Sequence, residues 1–258
     1  KDVNKALQIA WHNYQHIGNR YSGIYYNSNE DLNSLFSKFD FMGKEIFSVL
    51  SSSDQLFHLY NSGAKVVDTF DINKLTFYYY YLRKWFIEYK NAYYPIINIK
   101  TIIETVSRVS PRDEQEKRAI YFWTYFFNNS SIDDLYDFFI EKVDNKTNLI
   151  NNLKIIKNKL RKNNFNFYNI DISDVFNLNK QYDYIYLSNI SDYIDVYKFE
   201  TFRDNLFNLL KKDGKIICSN FGYNVFRPNE FGIFSKKFNY EILDDYIGYV
   251  YKIKKERD

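Results

Sequence analysis

The chain has 258 residues, long enough for one α/β domain or two small ones with a real core, and its formal net charge of +3 is too small to argue for a nucleic-acid partner by itself. Aromatic residues make up 21% of it against only 8 Gly and 3 Pro; with the many Asn, Lys and Ile this reads as nucleotide-biased composition, so most rings are expected in packing. A single cysteine, Cys218, excludes an internal disulfide, and with neither an apolar leader nor an uncharged apolar stretch of about eighteen residues the expectation is a cytoplasmic protein without a transmembrane segment.

Lys5 to Ile17 has helical spacing and stops at Gly18. A loop through Arg20 and Tyr21 leads to a short helix, Glu30 to Phe39, so that residues 1–45 form a helical cap ahead of the first strand. That strand, Ile46 to Leu50, runs into Ser51-Ser52-Ser53-Asp54, small polar residues that can cap a helix and let a ligand approach the backbone. The helix Gln55 to Asn61 ends at Gly63, and a second strand, Ala64 to Phe70, delivers Asp71 at its carboxyl end. Open parallel sheets place their ligand-binding groups at such ends.

Leu75 to Tyr89 is apolar on nearly every face, as in a helix buried all round. Residues 91–164 hold no strong strand and are too long for a simple connection, so they read as a helical insertion. Ser110-Pro111 predicts the start of a helix Glu114 to Phe127, and Ser131-Ile132-Asp133-Asp134 the start of another, Leu135 to Val143. Strands then return: Phe165 to Ile170, ending at Asp171, and Tyr182 to Leu187, ending at Ser188-Asn189. A helix Val196 to Leu210 leads through Lys212-Asp213-Gly214 to a fifth strand, Lys215 to Ser219. Asn239 to Ile242 and Tyr246 to Lys254, around Asp244-Asp245, predict a terminal hairpin. With no repeat and no linker, the chain reads as a single domain over 1–258.

Four stretches carry a resemblance. Val49-Leu50-Ser51-Ser52-Ser53, Asp71-Ile72-Asn73, Asp171-Ile172 and Leu187-Ser188-Asn189-Ile190 are similar, in order and spacing, to the cofactor-binding motifs of the class I S-adenosylmethionine (SAM)-dependent methyltransferases, and Lys211-Lys212-Asp213-Gly214-Lys215 resembles that family's turn before strand five. The resemblance implies an α/β, Rossmann-like fold: a mostly parallel sheet of five strands completed to seven by a C-terminal antiparallel hairpin, with N-terminal helices and the helical insertion. It implies SAM as cofactor. Asp71 would accept from both ribose hydroxyls, or else cap a helix; Asp171 would accept from the adenine amino group beside Ile172, or cap the helix near Ser173. Ser51, Ser52, Ser53 and Asp54 would face the methionine moiety, Tyr21 would lie near the sulfonium or simply pack, and Ile72, Asn73, Ser188 and Asn189 complete the cofactor set.

The chain departs from the family in one motif, because the glycines of E-x-G-x-G-x-G are absent; a dinucleotide site, which needs such glycines against a pyrophosphate, is disfavoured too. Ser188-Asn189-Ile190-Ser191 also lacks the Pro-Pro that follows Asn or Asp in amino-methylating DNA enzymes, so nucleic acid is an unlikely partner and a small-molecule substrate is expected. The serine-rich turn is loosely similar to betaine-lipid-type 3-amino-3-carboxypropyl transferases, which keeps that transfer open beside methylation, as does the reading of a non-catalytic Rossmann-like scaffold. Asp192, Tyr193 and His58 are the candidates to accept the acceptor's proton. His12 and His16 have the i, i+4 spacing of zinc ligands but no third ligand nearby, and no metal is expected. The basic run Lys146 to Lys162 is read as a solvated helix face before a site for RNA or lipid. The oligomeric state is not readable.

Overall fold

The computed structural model describes residues 24–129, 131, 139–141, 148–162, 165–172, 175, 178–190, 199–220, 240–242 and 249–254. In chain order these form β1 (Ile24–Tyr25), α1 (Leu32–Phe36), β2 (Glu45–Val49), α2 (Asp54–Asn61), β3 (Val66–Phe70), α3 (Leu75–Trp85) with a π-helical turn Phe86–Lys90, α4 (Ile99–Ser107) and α5 (Glu114–Asn129). There follow β4 (Phe139–Glu141), α6 (Lys154–Lys162), β5 (Phe167–Tyr168), β6 (Tyr182–Ser188), α7 (Phe199–Asn208), β7 (Leu210–Asn220), β8 (Tyr240–Ile242) and β9 (Tyr249–Lys254). They group into two compact units, residues 1–40, 50–62 and 73–164 in one, and 41–49, 63–72 and 165–258 in the other.

The second unit is a seven-stranded sheet in the order β5-β3-β2-β6-β7-β9-β8. The pairs β2–β3, β2–β6, β3–β5 and β6–β7 are parallel, in registers such as Val49 opposite Phe70 and Ser48 opposite Tyr186. β9 runs antiparallel to both β7 and β8. The near-continuous apolar runs explain the parallel core, since such strands bury both faces: Ile46, Phe47, Val67, Tyr182, Ile185, Ile216 and Ile217 are all buried. Phe47 anchors it, its ring 4.7 Å from that of Phe70 and stacked 5.0 Å from that of Tyr182. The chain builds outward from β2 to β3 and β5 on one side, then crosses to β6 and β7 on the other. The strand order therefore reverses between β2 and β6, the switch point where open sheets bind ligands.

Two strand expectations shift here. The predicted strand Phe165 to Ile170 shrinks to the two-residue β5, because pairing with β3 ends where the Asp71 N–H donates to the Tyr168 carbonyl at 3.1 Å. The Lys211-to-Lys215 turn is not ahead of the fifth strand but inside it. Tyr182 pairs with Leu210 and Tyr184 with Lys215, so β7 spends five positions where β6 spends two, and Asp213 takes a left-handed φ of 62° to make the bulge.

The first unit is mainly helical. Every residue of α3 is buried, matching its all-round apolar sequence. Tyr78 stacks on Phe122 of α5 with ring centroids 4.2 Å apart, and the Trp123 indole N–H donates to the Tyr78 carbonyl at 2.7 Å. Near the end of α3 lies a buried ion pair. Lys84 Nζ and Trp85 Nε1 both reach Glu116 Oε1 at 2.9 Å; burial raises the Glu116 pKa, but these partners and the Arg112 N–H outweigh it and hold the carboxyl below its ordinary value. α5 starts one residue after Asp113, whose carboxylate accepts from the Glu116 N–H at 2.7 Å, so the cap is Asp113 and not the Ser110 expected from the Ser-Pro signal.

The insertion is not wholly helical. Residues 139–141, expected inside a helix Leu135 to Val143, form β4, which pairs parallel with β1. The Phe139 ring sits 5.2 Å from Tyr26 and 5.3 Å from Tyr79, tertiary contacts that override a weak local helix preference. The predicted helix Lys5 to Ile17 and most of the N-terminal cap lie outside the described residues. The cap's short helix, expected from Glu30 to Phe39, is α1, started by an Asp31 carboxylate that accepts from the Ser34 N–H at 3.1 Å.

Candidate functional site

β2 runs directly into the serine turn, and α2 follows it. Ser51 and Ser53 adopt left-handed φ angles of 45° and 72°, conformations that glycine enters freely and other residues rarely. The Ser53 N–H donates to the Leu50 carbonyl at 2.7 Å, and α2 begins at Asp54. Two serines with left-handed φ thus stand at alternate positions of the turn. Ser52 and Ser53 are buried, and the Ser53 Oγ has no hydrogen-bond partner, which leaves a fully enclosed hydroxyl unsatisfied.

Asp54 is held within the protein. Its Oδ1 accepts from Arg83 Nη1 at 2.8 Å, its Oδ2 from the Ser28 N–H at 2.7 Å and from Ser52 Oγ at 3.1 Å, and the Tyr94 hydroxyl lies 3.2 Å from both oxygens. Arg83 Nη1 also donates to the Ser52 carbonyl at 2.7 Å, and Nη2 to the Tyr93 carbonyl at 3.1 Å. Neither side chain of the pair is exposed. The guanidinium carbon lies 4.5 Å from the ring centre of Tyr94, 4.7 Å from Tyr93 and 4.9 Å from Phe57, an aromatic enclosure suited to a weakly hydrated planar cation. Burial alone would lower the Arg83 pKa, but Asp54 and the surrounding phenols raise it, so the cation is permanent. Burial pushes Tyr26 up to about 12, with Arg83 opposing and Asp54 reinforcing the shift. Sequence reasoning placed Asp54 in the site but missed Arg83, Tyr94 and Ser28. The available signal was a charged pair, Arg83-Lys84, in a helix that is otherwise mostly aromatic and apolar.

His58 also lies in the helical unit. It is buried, with Nε2 2.9 Å from the Asn148 carbonyl oxygen, and burial pulls its pKa below the ordinary value against that hydrogen bond. Asn73 is there too, its Oδ1 accepting from the Leu75 N–H at 3.0 Å to start α3.

In the sheet unit, Asp71 directly follows β3 and Ser188 ends β6, so both stand at the carboxyl edge of the same parallel sheet, on opposite sides of β2. The Asp71 main chain is fixed from both sides: its N–H is bound by Tyr168, and its carbonyl accepts from Asn169 Nδ2 at 2.9 Å, which reaches the Ile72 carbonyl at 3.0 Å as well. Asp71 itself is half-buried. Asp171 and Asn189 are half-buried, Ile172 is buried, and Ser188 has a left-handed φ of 53°. Tyr21, Asp192 and Tyr193 lie outside the described residues. Among the described residues no group of three or more His, Cys, Asp and Glu is placed to hold a metal, and no helix is long and apolar enough to cross a membrane.

No protein-family model matches this sequence, and no curated protein matches it. Solved structures do. A TehB-like SAM-dependent methyltransferase from Corynebacterium glutamicum is 9% identical over 90% of each chain, with a TM-score of 0.48. The N-methyltransferase NodS from Bradyrhizobium japonicum, in complex with S-adenosylhomocysteine, is 10% identical over 99% of this chain and 86% of its own, with a TM-score of 0.42. The magnesium protoporphyrin IX methyltransferase ChlM from Synechocystis, with bound S-adenosylhomocysteine, is 9% identical over 86% of this chain and 78% of its own, with a TM-score of 0.40.

Proposed function

We propose that the chain is a SAM-dependent transferase, a methyltransferase acting on a small molecule. The observation that carries this reading is the sheet order: five parallel strands reversing direction of growth between β2 and β6, with β9 antiparallel between β7 and β8. That is the seven-stranded arrangement implied by the resemblance of the four motif stretches. Asp71 next to the switch point supports it, as do the left-handed φ angles of Ser51 and Ser53 in the turn after β2, a conformation that glycine enters freely.

In this reading the Asp71 carboxylate accepts from the two ribose hydroxyls, Asp171 and Ile172 take the adenine, and the Ser51–Ser53 turn takes the methionine part. The bound cofactor supplies an electrophilic methyl carbon on a sulfonium. The protein's own part is positional, holding the acceptor in line with that carbon and excluding water, which contributes up to about 7–11 kcal/mol where alignment is good. Asp192 and Tyr193 are the proposed acceptors of the substrate's proton; His58 is left out, because its Nε2 is engaged by Asn148. The chain after β6, Ser188-Asn189-Ile190, and the small net charge favour a small-molecule acceptor over nucleic acid.

Titration calorimetry with SAM and S-adenosylhomocysteine tests the reading. Wild-type protein should bind both, and Asp71→Ala should weaken binding by about 2 kcal/mol, roughly thirtyfold. No binding at millimolar ligand would replace the enzyme with a scaffold. Mass spectrometry of SAM incubated with protein and cell extract should show S-adenosylhomocysteine; methylthioadenosine in its place would mean aminocarboxypropyl transfer.

A further inference from the structure

We infer that Arg83 is a positioning residue: paired with Asp54, it clamps the serine turn in the left-handed course that glycines would otherwise give it. The inference rests on the cofactor reading above only for what the turn binds. The clamp itself is set out by contacts within the helical unit.

A turn of three serines has no reason of its own to place two of them at positive φ. Each such residue carries a steric penalty that glycine avoids, and strain of this kind persists only where the surroundings over-determine it. Here the surroundings converge on the residue between the two. The Ser52 carbonyl accepts from Arg83 Nη1, and the Ser52 hydroxyl donates to Asp54 Oδ2, so both ends of the central residue are tied to one buried ion pair. The same Arg83 nitrogen bonds Asp54 Oδ1, which fixes the residue just after Ser53.

The clamp is itself anchored on three sides. Arg83 stands on α3 and reaches the Tyr93 carbonyl with its second amino group, while Asp54 takes the Ser28 N–H. The rings of Phe57, Tyr93 and Tyr94 lie within 5 Å of the guanidinium carbon and the side chain is not exposed, so water offers the arginine no alternative partner. Enclosure has left unpaired atoms on the turn and its clamp: Ser53 Oγ, Gln55 Oε1 and Arg83 Nε are buried without a hydrogen-bond partner. Three such atoms on the turn, the residue after Asp54 and the arginine are a cost that the backbone arrangement carries. A lysine at position 83 would keep the charge but lose the planar fork that serves Ser52, Asp54 and Tyr93 together.

The test is a rescue. Arg83→Lys should weaken S-adenosylhomocysteine binding at least tenfold in calorimetry run well below the unfolding temperature, where the variant is folded. Introducing Ser51→Gly and Ser53→Gly into Arg83→Lys should restore affinity to within about threefold of the wild type, since glycines hold the turn without a clamp. A purely structural arginine would not be rescued in this way, and equal loss with and without the glycines overturns the inference. Should Arg83→Lys not fold, Asp54→Asn, which keeps shape and removes the charge, takes its place in the same comparison.

Chemical denaturation of the four proteins of the cycle gives an answer that needs no ligand. With a clamp, the glycine pair reduces the loss of stability caused by Arg83→Lys; strictly additive losses overturn the clamp. A wild-type chain that binds no S-adenosylhomocysteine but shows this coupling would refute the cofactor reading and leave the clamp standing.

Discussion

His58 and Asn148, 90 positions apart, are joined by a single contact of 2.9 Å between Nε2 and the Asn148 carbonyl oxygen, and the Asn148 side chain carries the link onward to the Leu32 N–H at 2.9 Å. For Nε2 to donate, the neutral ring must hold its proton there. Burial makes that neutral form the favoured one and depresses the folded-state pKa below the unfolded value of about 6.5. The unfolded chain therefore binds more protons in the window between the two values, and the stability present above about pH 6.5 is lost as pH falls through the folded pKa. Thermal unfolding followed from pH 7.5 to 5 should show a falling midpoint, and His58→Gln, which can still donate to Asn148, should flatten part of that fall. Identical slopes for the two proteins would refute it.

A second network ties the sheet together around a buried carboxylate. Asp68 on β3 accepts from the Tyr182 hydroxyl at 2.8 Å, Lys180 Nζ at 2.5 Å and Asn166 Nδ2 at 2.8 Å, and it is fully enclosed. Removing the cation strands a buried charge, whereas removing the phenol deletes one of several bonds. Lys180→Met is expected to cost about 3 kcal/mol, the low end for a broken buried pair because the lysine is a third exposed, and Tyr182→Phe about 1.5–2 kcal/mol. Urea unfolding of both variants should give that order, and the reverse order would show that Tyr182, not Lys180, stabilises the carboxylate.

The sheet was legible because its strands are short apolar runs that end in polar residues, and such runs survive any context. β2, β3 and β6 fall within two residues of where Ile46, Phe70 and Tyr182 suggested. What local sequence could not carry were decisions made at a distance. Phe139 becomes a strand residue because β1 and the rings of Tyr26 and Tyr79 are there to receive it. The serine turn is the same lesson at the site. Its missing glycines counted against the motif, yet a side chain about thirty positions on, Arg83, lies against the Ser52 carbonyl. Only the charged pair Arg83-Lys84 at the end of an aromatic run hinted at it.

The bulge in β7 gives a sharper expectation than its Lys-Asp-Gly sequence did. A methyl group on Gly214 would lie 2.8 Å from the Lys211 carbonyl oxygen and 3.1 Å from that of Tyr182, both main-chain atoms. Neither can swing away as a side chain could. Gly214→Ala should therefore cost about 2–3 kcal/mol, as overpacking against backbone does. At Gly63, with a φ of 93°, the atoms within 3.0 Å belong to the flexible Met42 side chain, so Gly63→Ala should cost about 1 kcal/mol, from backbone conformation alone. Thermal melts of the two variants decide it: a larger loss at Gly63 would mean that the bulge can relax.

Neighbouring serines in the turn should respond with opposite signs. Ser53 combines a left-handed φ of 72° with a buried hydroxyl that has no partner, so glycine there removes a backbone penalty of about 1–2 kcal/mol and an unsatisfied group costing about 1–3 kcal/mol. Against this stands the extra freedom of glycine in the unfolded chain, about 0.5–1 kcal/mol. Ser53→Gly is therefore expected to stabilise the protein by about 1 kcal/mol or more. Ser52 has no positive φ to relieve, and its hydroxyl donates to Asp54 Oδ2 at 3.1 Å, so Ser52→Gly loses a charge-assisted bond and gains only flexibility; it should destabilise by about 2 kcal/mol. Denaturant midpoints of the two single variants check both signs at once. A destabilised Ser53→Gly would show that its hydroxyl is satisfied in solution and that the turn's strain is smaller than its φ angle implies.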